Sequence, residues 1–408
     1  MPTTNGPVIL IPGFLGSELS YTDGAAKGKV MWADTSTLAN PDLAIGLELA
    51  ADGKSPYPLI GRALVPSGPV APYYTAWQTI LVNQSFKGDF GPVQTYAWDW
   101  RRSLLDSVPG LVGLCQTLGQ NSPVNLVGHS MGGLLARLVW AALVDAGQTS
   151  LVRRIITVGT PHTGAYDAPV SLCGFTSFYD GWLWSALIGW HSPWPGTGRG
   201  VVKTKGDFWS AIGGTWPGLY QLIPAPDTST QAATMATNLL YSASSYPKAP
   251  FLIQGWFDLA RNTIWPRLMD SKYTIPSAQL WTLAGSGGQV ISGLGNVVVP
   301  FSQAMWDSAP RADGDGVVLL TSQLVTASQQ MQAVADHSGE PTGFAANGML
   351  AAAITAATPS TIPAKQFAPV PLLQLVRQQP YMPATLDQPL STIQFGSYPP
   401  SRANVGDP

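Results

Sequence analysis

Charged side chains are scarce in this sequence of 408 residues. Asp, Glu, Lys and Arg together make up 11% of it, whereas an average soluble protein has about a quarter. The formal net charge is −2, and the lysines and arginines stand singly rather than in blocks. Without a basic block there is no electrostatic footprint for nucleic acid or for an anionic lipid surface. We therefore expect no nucleic-acid partner.

Cysteine is also rare, and long apolar runs are missing. Cys115 and Cys173 are too few for a disulfide framework, and they could form one bridge or remain two buried thiols. No run of about 20 apolar residues is present, so we expect no transmembrane helix. No basic segment precedes the first apolar run, so we expect no signal peptide. On this interpretation the protein is cytoplasmic, or secreted if the sequence is a processed mature form.

The first part of the sequence alternates between strand-like and helix-like segments. The strand candidates are short apolar runs and the helix candidates are longer ones: strands over residues 6–14, 93–99, 123–128 and 153–159, helices over 111–118 and 132–146. Repeated strand–helix–strand units predict the α/β class, with a mostly parallel central sheet flanked by helices.

This regularity stops after residue 164. Residues 165–250 are rich in Gly, Pro and Ser and contain six tryptophans: Trp182, Trp184, Trp190, Trp194, Trp209 and Trp216. Long irregular segments in a compact domain are usually functional. We predict a cap inserted over the sheet, able to contact a lipid surface transiently. Strand-like runs at 251–255 and 280–285 indicate that the core resumes after the cap. The predicted core therefore consists of residues 1–164 and 251–408. Its last part contains a predicted helix over 348–357 and a Pro-rich tail.

A candidate nucleophile lies between the third strand and the helix that follows it. Residues 128–132, Gly-His-Ser-Met-Gly, match G-x-S-x-G, the turn that lifts a serine hydroxyl above the edge of a sheet. The new helix also points its N-terminal amides toward the charge that forms in acyl transfer. An ordinary, non-catalytic βα turn rich in small residues could have the same G-x-S-x-G pattern. The position between a strand and a helix nevertheless favours Ser130 as the nucleophile.

A serine nucleophile needs a base, and the chain offers four histidines. His129 lies inside the turn, where its geometry prevents it from serving its neighbour. His162 follows a strand and is expected at the pocket rim, and His191 lies among the tryptophans of the predicted cap. His337 is late in the chain and in a polar loop, as the order Ser, Asp, His requires. Elimination and order favour His337.

The acid should lie between Ser130 and His337. Residues 311–318, Arg-Ala-Asp-Gly-Asp-Gly-Val-Val, supply two candidates, Asp313 and Asp315. Asp-Gly is also ordinary turn chemistry. Asp315 stands directly before the Gly-Val-Val run, so we favour it over Asp313 as the group that holds the histidine tautomer.

Oxyanion stabilisation requires two backbone N–H groups. One should belong to Met131, the residue after the nucleophile, and the other to the loop after the first strand. We assign that second donor to Phe14, with Leu15 as the alternative. The predicted substrate contacts are Leu15, His129, His162, Trp182 and Trp184. No His or carboxylate spacing resembles a metal motif such as H-E-x-x-H, so no metal or cofactor is expected.

Six segments in this order resemble the lecithin:cholesterol acyltransferase family, which includes lysosomal phospholipases and bacterial lipase-like members. They are 7–19 (PVILIPGFLGSEL), 30–38 (VMWADTSTL), 96–101 (YAWDWR), 128–133 (GHSMGG), 216–224 (WPGLYQLIP) and 313–320 (DGDGVVLL). Val318 replaces the Thr-Val-Pro ending of the family's acid loop, and the cysteines of the animal enzymes' early lid have no counterpart. The resemblance implies an α/β-hydrolase fold with a cap, the triad Ser130, Asp315 and His337, and a fatty-acid ester such as a phospholipid or a glyceride as substrate.

The residues predict a serine-dependent hydrolase or acyltransferase that works through an acyl-enzyme on a lipid ester. An esterase for short-chain or polymeric esters is the alternative, because a Trp-rich cap suits an acyl chain, a ring or a polymer strand equally. A more distant alternative is a binding protein that keeps the hydrolase fold, since fold does not fix function. That reading predicts a missing triad member, and none is missing.

Overall fold

Short apolar runs form the strands of a computed structural model that describes residues 5–34, 45–56, 63–175 and 208–356. The strands in chain order are β1 Val8–Ile11, β2 Ser17–Tyr21, β3 Val30–Trp32, β4 Leu64–Pro69, β5 Val93–Thr95, β6 Val124–His129, β7 Val152–Val158, β8 Leu280–Ser286, β9 Gly288–Ile291, β10 Arg311–Gly314 and β11 Gln329–Val334.

Six of these strands build one central sheet in the order β11-β8-β7-β6-β1-β5. Every neighbouring pair in it is parallel. β1 and β6 are interior strands, each paired on both sides, and are buried over their whole length, as expected for parallel strands covered on both faces. Two small antiparallel sheets, β3-β2-β4 and β10-β9, complete the β structure of the described residues.

Helices connect and cover the parallel strands. The α-helices are α1 Ala71–Phe86, α2 Leu104–Leu118, α3 Met131–Asp145, α4 Asp167–Cys173, α5 Pro217–Tyr220, α6 Gln231–Leu240, α7 Gln254–Leu259, α8 Trp265–Met269, α9 Gln303–Asp307, α10 Leu320–Gln323, α11 Glu340–Ala346 and α12 Met349–Thr355. α3 is the central one, buried on most of its surface and packed against β1, β6 and β7.

The predicted α/β class with a mostly parallel sheet is confirmed. Two local predictions are wrong. Residues 251–255 are not a strand, because α7 begins at Gln254 after a 3₁₀ turn over Ala249–Phe251; a short apolar run does not by itself distinguish a buried strand from the start of a helix. The edge strand β11 was not predicted, since its sequence QQMQAV has polar residues where a strand signal needs apolar ones.

Part of the predicted cap, residues 176–207 with Trp182, Trp184, Trp190, His191 and Trp194, lies outside the described residues. Trp209 and Trp216, from the same predicted segment, are fully buried and pack against each other with ring centroids 6.1 Å apart. Trp216 also packs on Trp100, at 5.1 Å. This stretch therefore contributes to the core beside the loop after β1, and the cap boundaries 165–250 stay a prediction.

Both cysteines are unpaired and buried. Burial raises the pKa of Cys115 and of Cys173 to about 12, so both thiols stay protonated near neutral pH. None of the helices formed by the described residues is long and apolar enough to cross a lipid bilayer.

Candidate active site

The turn between β6 and α3 holds Ser130 in a strained conformation. Its φ is 51° and its ψ −127°, a region that costs a residue with a side chain about 1–3 kcal/mol. Two backbone hydrogen bonds hold the turn, from Ser130 N to Val158 O at 2.8 Å and from Gly133 N to Ser130 O at 3.0 Å. A Cβ on Gly132 would lie 2.3 Å from the carbonyl oxygen of Ile11. Glycine is therefore required for the helix to start this close to β1.

Three distant residues form a continuous hydrogen-bonded relay at this turn. The Ser130 hydroxyl lies 2.9 Å from His337 Nε2. His337 Nδ1 lies 2.7 Å from Asp315 Oδ2. All three residues are buried, with 5%, 2% and 3% of the surface of Ser130, His337 and Asp315 exposed. Ligand sites in α/β sheets lie outside the carboxyl ends of the strands, and Ser130 and His337 follow β6 and β11 there.

Backbone donors fix the acid of this relay. Asp315 Oδ1 accepts hydrogen bonds from Val317 N at 2.9 Å and from Val318 N at 2.7 Å. The other candidate acid, Asp313, is exposed on β10, and its Oδ1 accepts a bond from Gly287 N at 2.9 Å. The structure thus brings Asp315, and not Asp313, to His337.

His129 connects the loop after β1 to His337. Tyr74 Oη accepts a hydrogen bond from Gly13 N at 3.0 Å and lies 2.8 Å from His129 Nδ1. His129 Nε2 lies 3.0 Å from the carbonyl oxygen of His337. Because that carbonyl can only accept, Nε2 carries the proton and Nδ1 accepts from Tyr74. Burial, and then the nearby His337, lower the pKa of His129 well below its usual value, so the ring is neutral.

Both ring nitrogens of His162 are also engaged by protein groups. Nδ1 lies 3.1 Å from Arg137 Nη1 and Nε2 lies 3.0 Å from Thr157 Oγ1. Burial and the Arg137 charge lower its pKa well below the usual value. With 3% of its surface exposed, His162 links β7 to α3 through these two bonds, and its place at a pocket rim stays a prediction.

The predicted oxyanion loop, residues 11–16, packs against the nucleophile. A Cβ on Gly13 would lie 2.8 Å from Ser130 Cβ, so the loop backbone touches the serine. Leu15 has a φ of 61°. The Phe14 and Leu15 side chains are buried, at 4% and 6% exposure, and Phe14 packs edge-on against Trp100 at 5.3 Å. Gly13 thus brings the loop backbone against Ser130, and the donor role of the Phe14 and Met131 amides stays a prediction.

Three indole N–H groups hold carbonyl oxygens of this loop and of Ser17, the first residue of β2, a role that sequence reasoning missed. Trp98 Nε1 donates to Pro12 O at 2.8 Å, Trp32 Nε1 donates to Leu15 O at 2.8 Å, and Trp100 Nε1 donates to Ser17 O at 2.9 Å. Two of the three belong to the YAWDWR segment. Arg101, from the same segment, is buried and forms a forked ion pair with Asp99 at 2.9 and 2.7 Å.

Trp32→Phe should slow ester turnover while the protein stays folded. The substitution keeps an aromatic ring but removes the donor to Leu15 O, which frees the loop to shift by a fraction of an ångström. We expect kcat to fall between about 10-fold and about 100-fold, because small misplacements of catalytic groups cost that much. Trp140→Phe is the matched control, since Trp140 is buried and its Nε1 has no hydrogen-bond partner among the residues that the structure describes. Equal kcat values for the two variants would contradict the loop-holding role.

One group of metal-type ligands occurs within the described ranges: His129, His337 and Glu340, with ligand atoms within 4.8 Å of one another. Both nitrogens of His129 are taken by Tyr74 and the His337 carbonyl. Both nitrogens of His337 are taken by Ser130 and Asp315. The hydrogen bonds leave no nitrogen lone pair directed at an ion, so we interpret the group as part of the relay.

Comparison with known proteins supports the fold. Residues 106–176, which include β6, the Ser130 turn, α3 and β7, match the family profile described as a PGAP1-like alpha/beta domain. No curated protein matches the sequence significantly. A chain of the Tle4–Tli4 complex is similar in structure, with a TM-score of 0.52 and 12% identity over 86% of this chain and 99% of that chain.

The lipase BlEst2 of Bacillus licheniformis is a more distant match. Its propeptide form has a TM-score of 0.40 and 16% identity over 91% of this chain and 54% of that chain. Its mature form has a TM-score of 0.38 and 16% identity over 86% of this chain and 93% of that chain. The central sheet and the PGAP1-like match together show the α/β-hydrolase fold that the sequence predicts. None of the matches singles out the lecithin:cholesterol acyltransferase family, so that narrower likeness stays a prediction.

Proposed function

We propose that this protein is a serine hydrolase that cleaves or transfers the acyl group of carboxylic esters. The observation that carries the proposal is the unbroken relay from Ser130 Oγ to His337 Nε2 at 2.9 Å and from His337 Nδ1 to Asp315 Oδ2 at 2.7 Å. Each distance lies within the range of a direct hydrogen bond. A non-catalytic binding protein would have no need of a strained serine joined to a base and an acid in this order.

In the proposed first step, His337 Nε2 takes the Ser130 proton as Oγ attacks the ester carbonyl carbon. The resulting oxyanion accepts hydrogen bonds from the Met131 and Phe14 amides, each of which stabilises the transition state by about 2.7–4 kcal/mol. Asp315 stays ionised and stabilises the imidazolium, and its two backbone donors hold that charge in place. His337 then gives its proton to the leaving alcohol, and an acyl-enzyme on Ser130 remains.

In the second step, water or another alcohol takes the acyl group from Ser130. His337 removes the proton of this acceptor, and the carbonyl collapses to release the new acid or ester and the free serine. A lipid ester is the proposed substrate. The order of the six motifs along the sequence supports it, because that order resembles a family of fatty-acyl esterases and acyltransferases.

Covalent labelling tests the proposed nucleophile. A fluorophosphonate reacts with an activated serine and loses fluoride, leaving a phosphonate on Oγ. We expect one adduct per chain, located by fragment-ion mass spectrometry on Ser130 within the tryptic peptide 103–137, with loss of esterase activity in proportion to labelling. Protein unfolded by heat is the control and should not react. Labelling of another serine, or full activity after labelling, would overturn the assignment.

A ladder of p-nitrophenyl esters, from acetate to palmitate, tests the substrate class. A kcat/KM that rises with chain length supports a lipid ester. A maximum at acetate or butyrate would support the short-chain alternative, and the nucleophile would be unaffected by that result.

A further inference from the structure

Glu340 is a buried carboxyl beside the proposed triad that the mechanism above does not use. It is one of only three glutamates in the sequence, and it is the first residue of α11. Its side chain is completely buried. Neither carboxyl oxygen has a hydrogen-bond partner among the donors of the described residues. A carboxylate in such a place would be costly, so its surroundings must explain it.

Two glycines at the ends of neighbouring strands make room for this carboxyl. A Cβ on Gly159, just after β7, would lie 1.8 Å from Glu340 Oε2 and 3.1 Å from His337 Nδ1. A Cβ on Gly285, in β8, would lie 2.1 Å from Glu340 Oε1 and 3.0 Å from Asp315 Cβ. The carboxyl therefore fills a space that any other residue at either position would close, directly against the Asp315–His337 pair.

The N–H groups beside Glu340 bond to other acceptors: the Gly285 N–H, which opposes the rise in the pKa of Glu340, donates to Gln323 Oε1 at 2.8 Å. His337 Nδ1 is 3.8 Å from Glu340 Oε2, but its proton already goes to Asp315 at 2.7 Å. Asp315 is held as the ionised partner by two backbone donors. A second carboxyl against an ionised one stays neutral. Burial first, and then the Asp315 charge, raise the pKa of Glu340 well above its usual value.

The other titratable groups near this carboxyl act in the same direction or are neutral. The Asp336 charge further raises the pKa of Glu340. Asp167 at the start of α4 is half-buried, and burial and the Asp315 charge raise its own pKa to about 7. His129 is neutral, and Tyr74 of α1 is bonded to it. β8 and α12 contribute no titratable side chain.

We propose that Glu340 is a positioning residue that remains protonated and donates its proton in a hydrogen bond to the Asp315 carboxylate. It thereby extends the relay to four members: Ser130, His337, Asp315 and Glu340. The inference rests on the proposed function, because it assigns Glu340 a role in the same site. Only the protonated acid has a donor to offer, and Asp315 is the adjacent anion that can receive it.

The protonation state of Glu340 determines how many negative charges lie beside the His337 imidazole. With Glu340 neutral, His337 faces one negative charge, which is enough to orient it and to stabilise the imidazolium formed in the reaction. An ionised Glu340 would place a second negative charge 3.8 Å from Nδ1. The resting imidazole would then hold a proton to higher pH, and less of the enzyme would have a free base at neutral pH.

Two substitutions of Glu340 distinguish a neutral hydrogen-bond donor at this position from a negative charge. Glu340→Gln keeps a neutral donor of the same shape, so we expect kcat to stay above about half of the wild-type value and the acidic limb of the kcat/KM profile to move by less than about 0.3 pH units. Glu340→Leu fills the space but removes the donor. We expect kcat to fall about 10-fold, the effect of losing one hydrogen bond to a charged group, with KM unchanged and the acidic limb shifted to higher pH.

Several outcomes would overturn the proposal. An acidic limb that moves down by about one unit in Glu340→Gln would show that Glu340 is an anion in the wild type. A Gln variant as slow as the Leu variant would exclude the donor role. A folded Leu variant with wild-type kcat and pH profile would make Glu340 a mere filler of space.

Infrared spectroscopy gives a readout that needs no ester turnover and no Leu variant. The difference between wild-type and Glu340→Gln spectra at neutral pH should contain the carbonyl stretch of a protonated carboxylic acid. Glu18→Gln, at a half-buried glutamate on β2, is the matched control and should keep that band. Absence of the band from this difference spectrum would overturn the proposal, because a band shared by both proteins would come from another acid such as Asp167. If the protein hydrolyses no ester but shows the band, the proposed function fails and the protonation of Glu340 stands.

Discussion

Replacing Ser130 with alanine should reduce kcat for a p-nitrophenyl ester by about a millionfold, the loss seen when the nucleophile of a serine triad is removed. The expectation follows from the relay, in which the Ser130 hydroxyl is the donor bonded to His337 Nε2 at 2.9 Å. Without the hydroxyl no acyl-enzyme forms, and only the slow attack of water assisted by the remaining groups is left. Steady-state kinetics on the wild type and the variant measure the effect. Equal midpoints of thermal unfolding show that both proteins are folded.

Ser171→Ala is the matched control for this experiment. Ser171 lies in α4, has 1% of its surface exposed, and its hydroxyl has no hydrogen-bond partner within the described part of the chain. Its loss should leave kcat within about twofold of the wild-type value, since it removes no contact to the relay. A Ser130→Ala variant that keeps more than a tenth of the activity, with the control unchanged, would mean that another residue attacks the ester.

The serine turn was predictable because its signals are local. A G-x-S-x-G motif between an apolar strand and an apolar helix is enough to indicate a tight βα turn. The structure places β6 and α3 on either side of it. The order Ser, Asp, His along the chain then limited the search for partners to a few residues. Asp313 and Asp315 differ only in their distance from the Gly-Val-Val run. That difference of two positions says little about which carboxyl faces His337.

The roles of His129 and Glu340 could not be predicted, because they depend on contacts between distant parts of the chain. His129 Nε2 bonds to the carbonyl of a residue 208 positions away. Glu340 is placed by glycines on two different strands. A Glu three residues after the candidate histidine is visible in the sequence, but nothing in the local pattern indicates that it is buried against Asp315.

The tryptophans show a similar limit. The sequence predicts a Trp-rich cap over residues 165–250, whereas YAWDWR enters only as part of a resemblance, with no contact predicted for its tryptophans. In the structure the indoles of Trp32, Trp98 and Trp100 are fully buried and hold the loop beside Ser130. Composition indicates how many large amphipathic rings there are, whereas the direction of each N–H is decided only when the sheet and the loop come together.

Asp315→Asn should reduce kcat by about 10⁴-fold, whereas Asp313→Asn should leave it within about threefold of the wild-type value. An amide at position 315 can donate to His337 Nδ1, which would move the imidazole proton to Nε2 and take away the acceptor that Ser130 needs; a triad acid changed in this way has that cost. Asp313 is exposed, and the hydrogen bond that its Oδ1 accepts from Gly287 N at 2.9 Å can be kept by the oxygen of an asparagine.

The two variants form a matched pair, because they remove the same charge two positions apart on one loop. Kinetics on a short-chain ester, with thermal unfolding as the check on folding, compare them directly. Residual activity of the Asp315→Asn variant should rise with pH, because Nε2 then carries the imidazole proton and hydroxide must take over the removal of the Ser130 proton. The reverse result, with Asp313→Asn inactive and Asp315→Asn active, would mean that the acid loop adopts another register during turnover and that Asp313 holds the histidine.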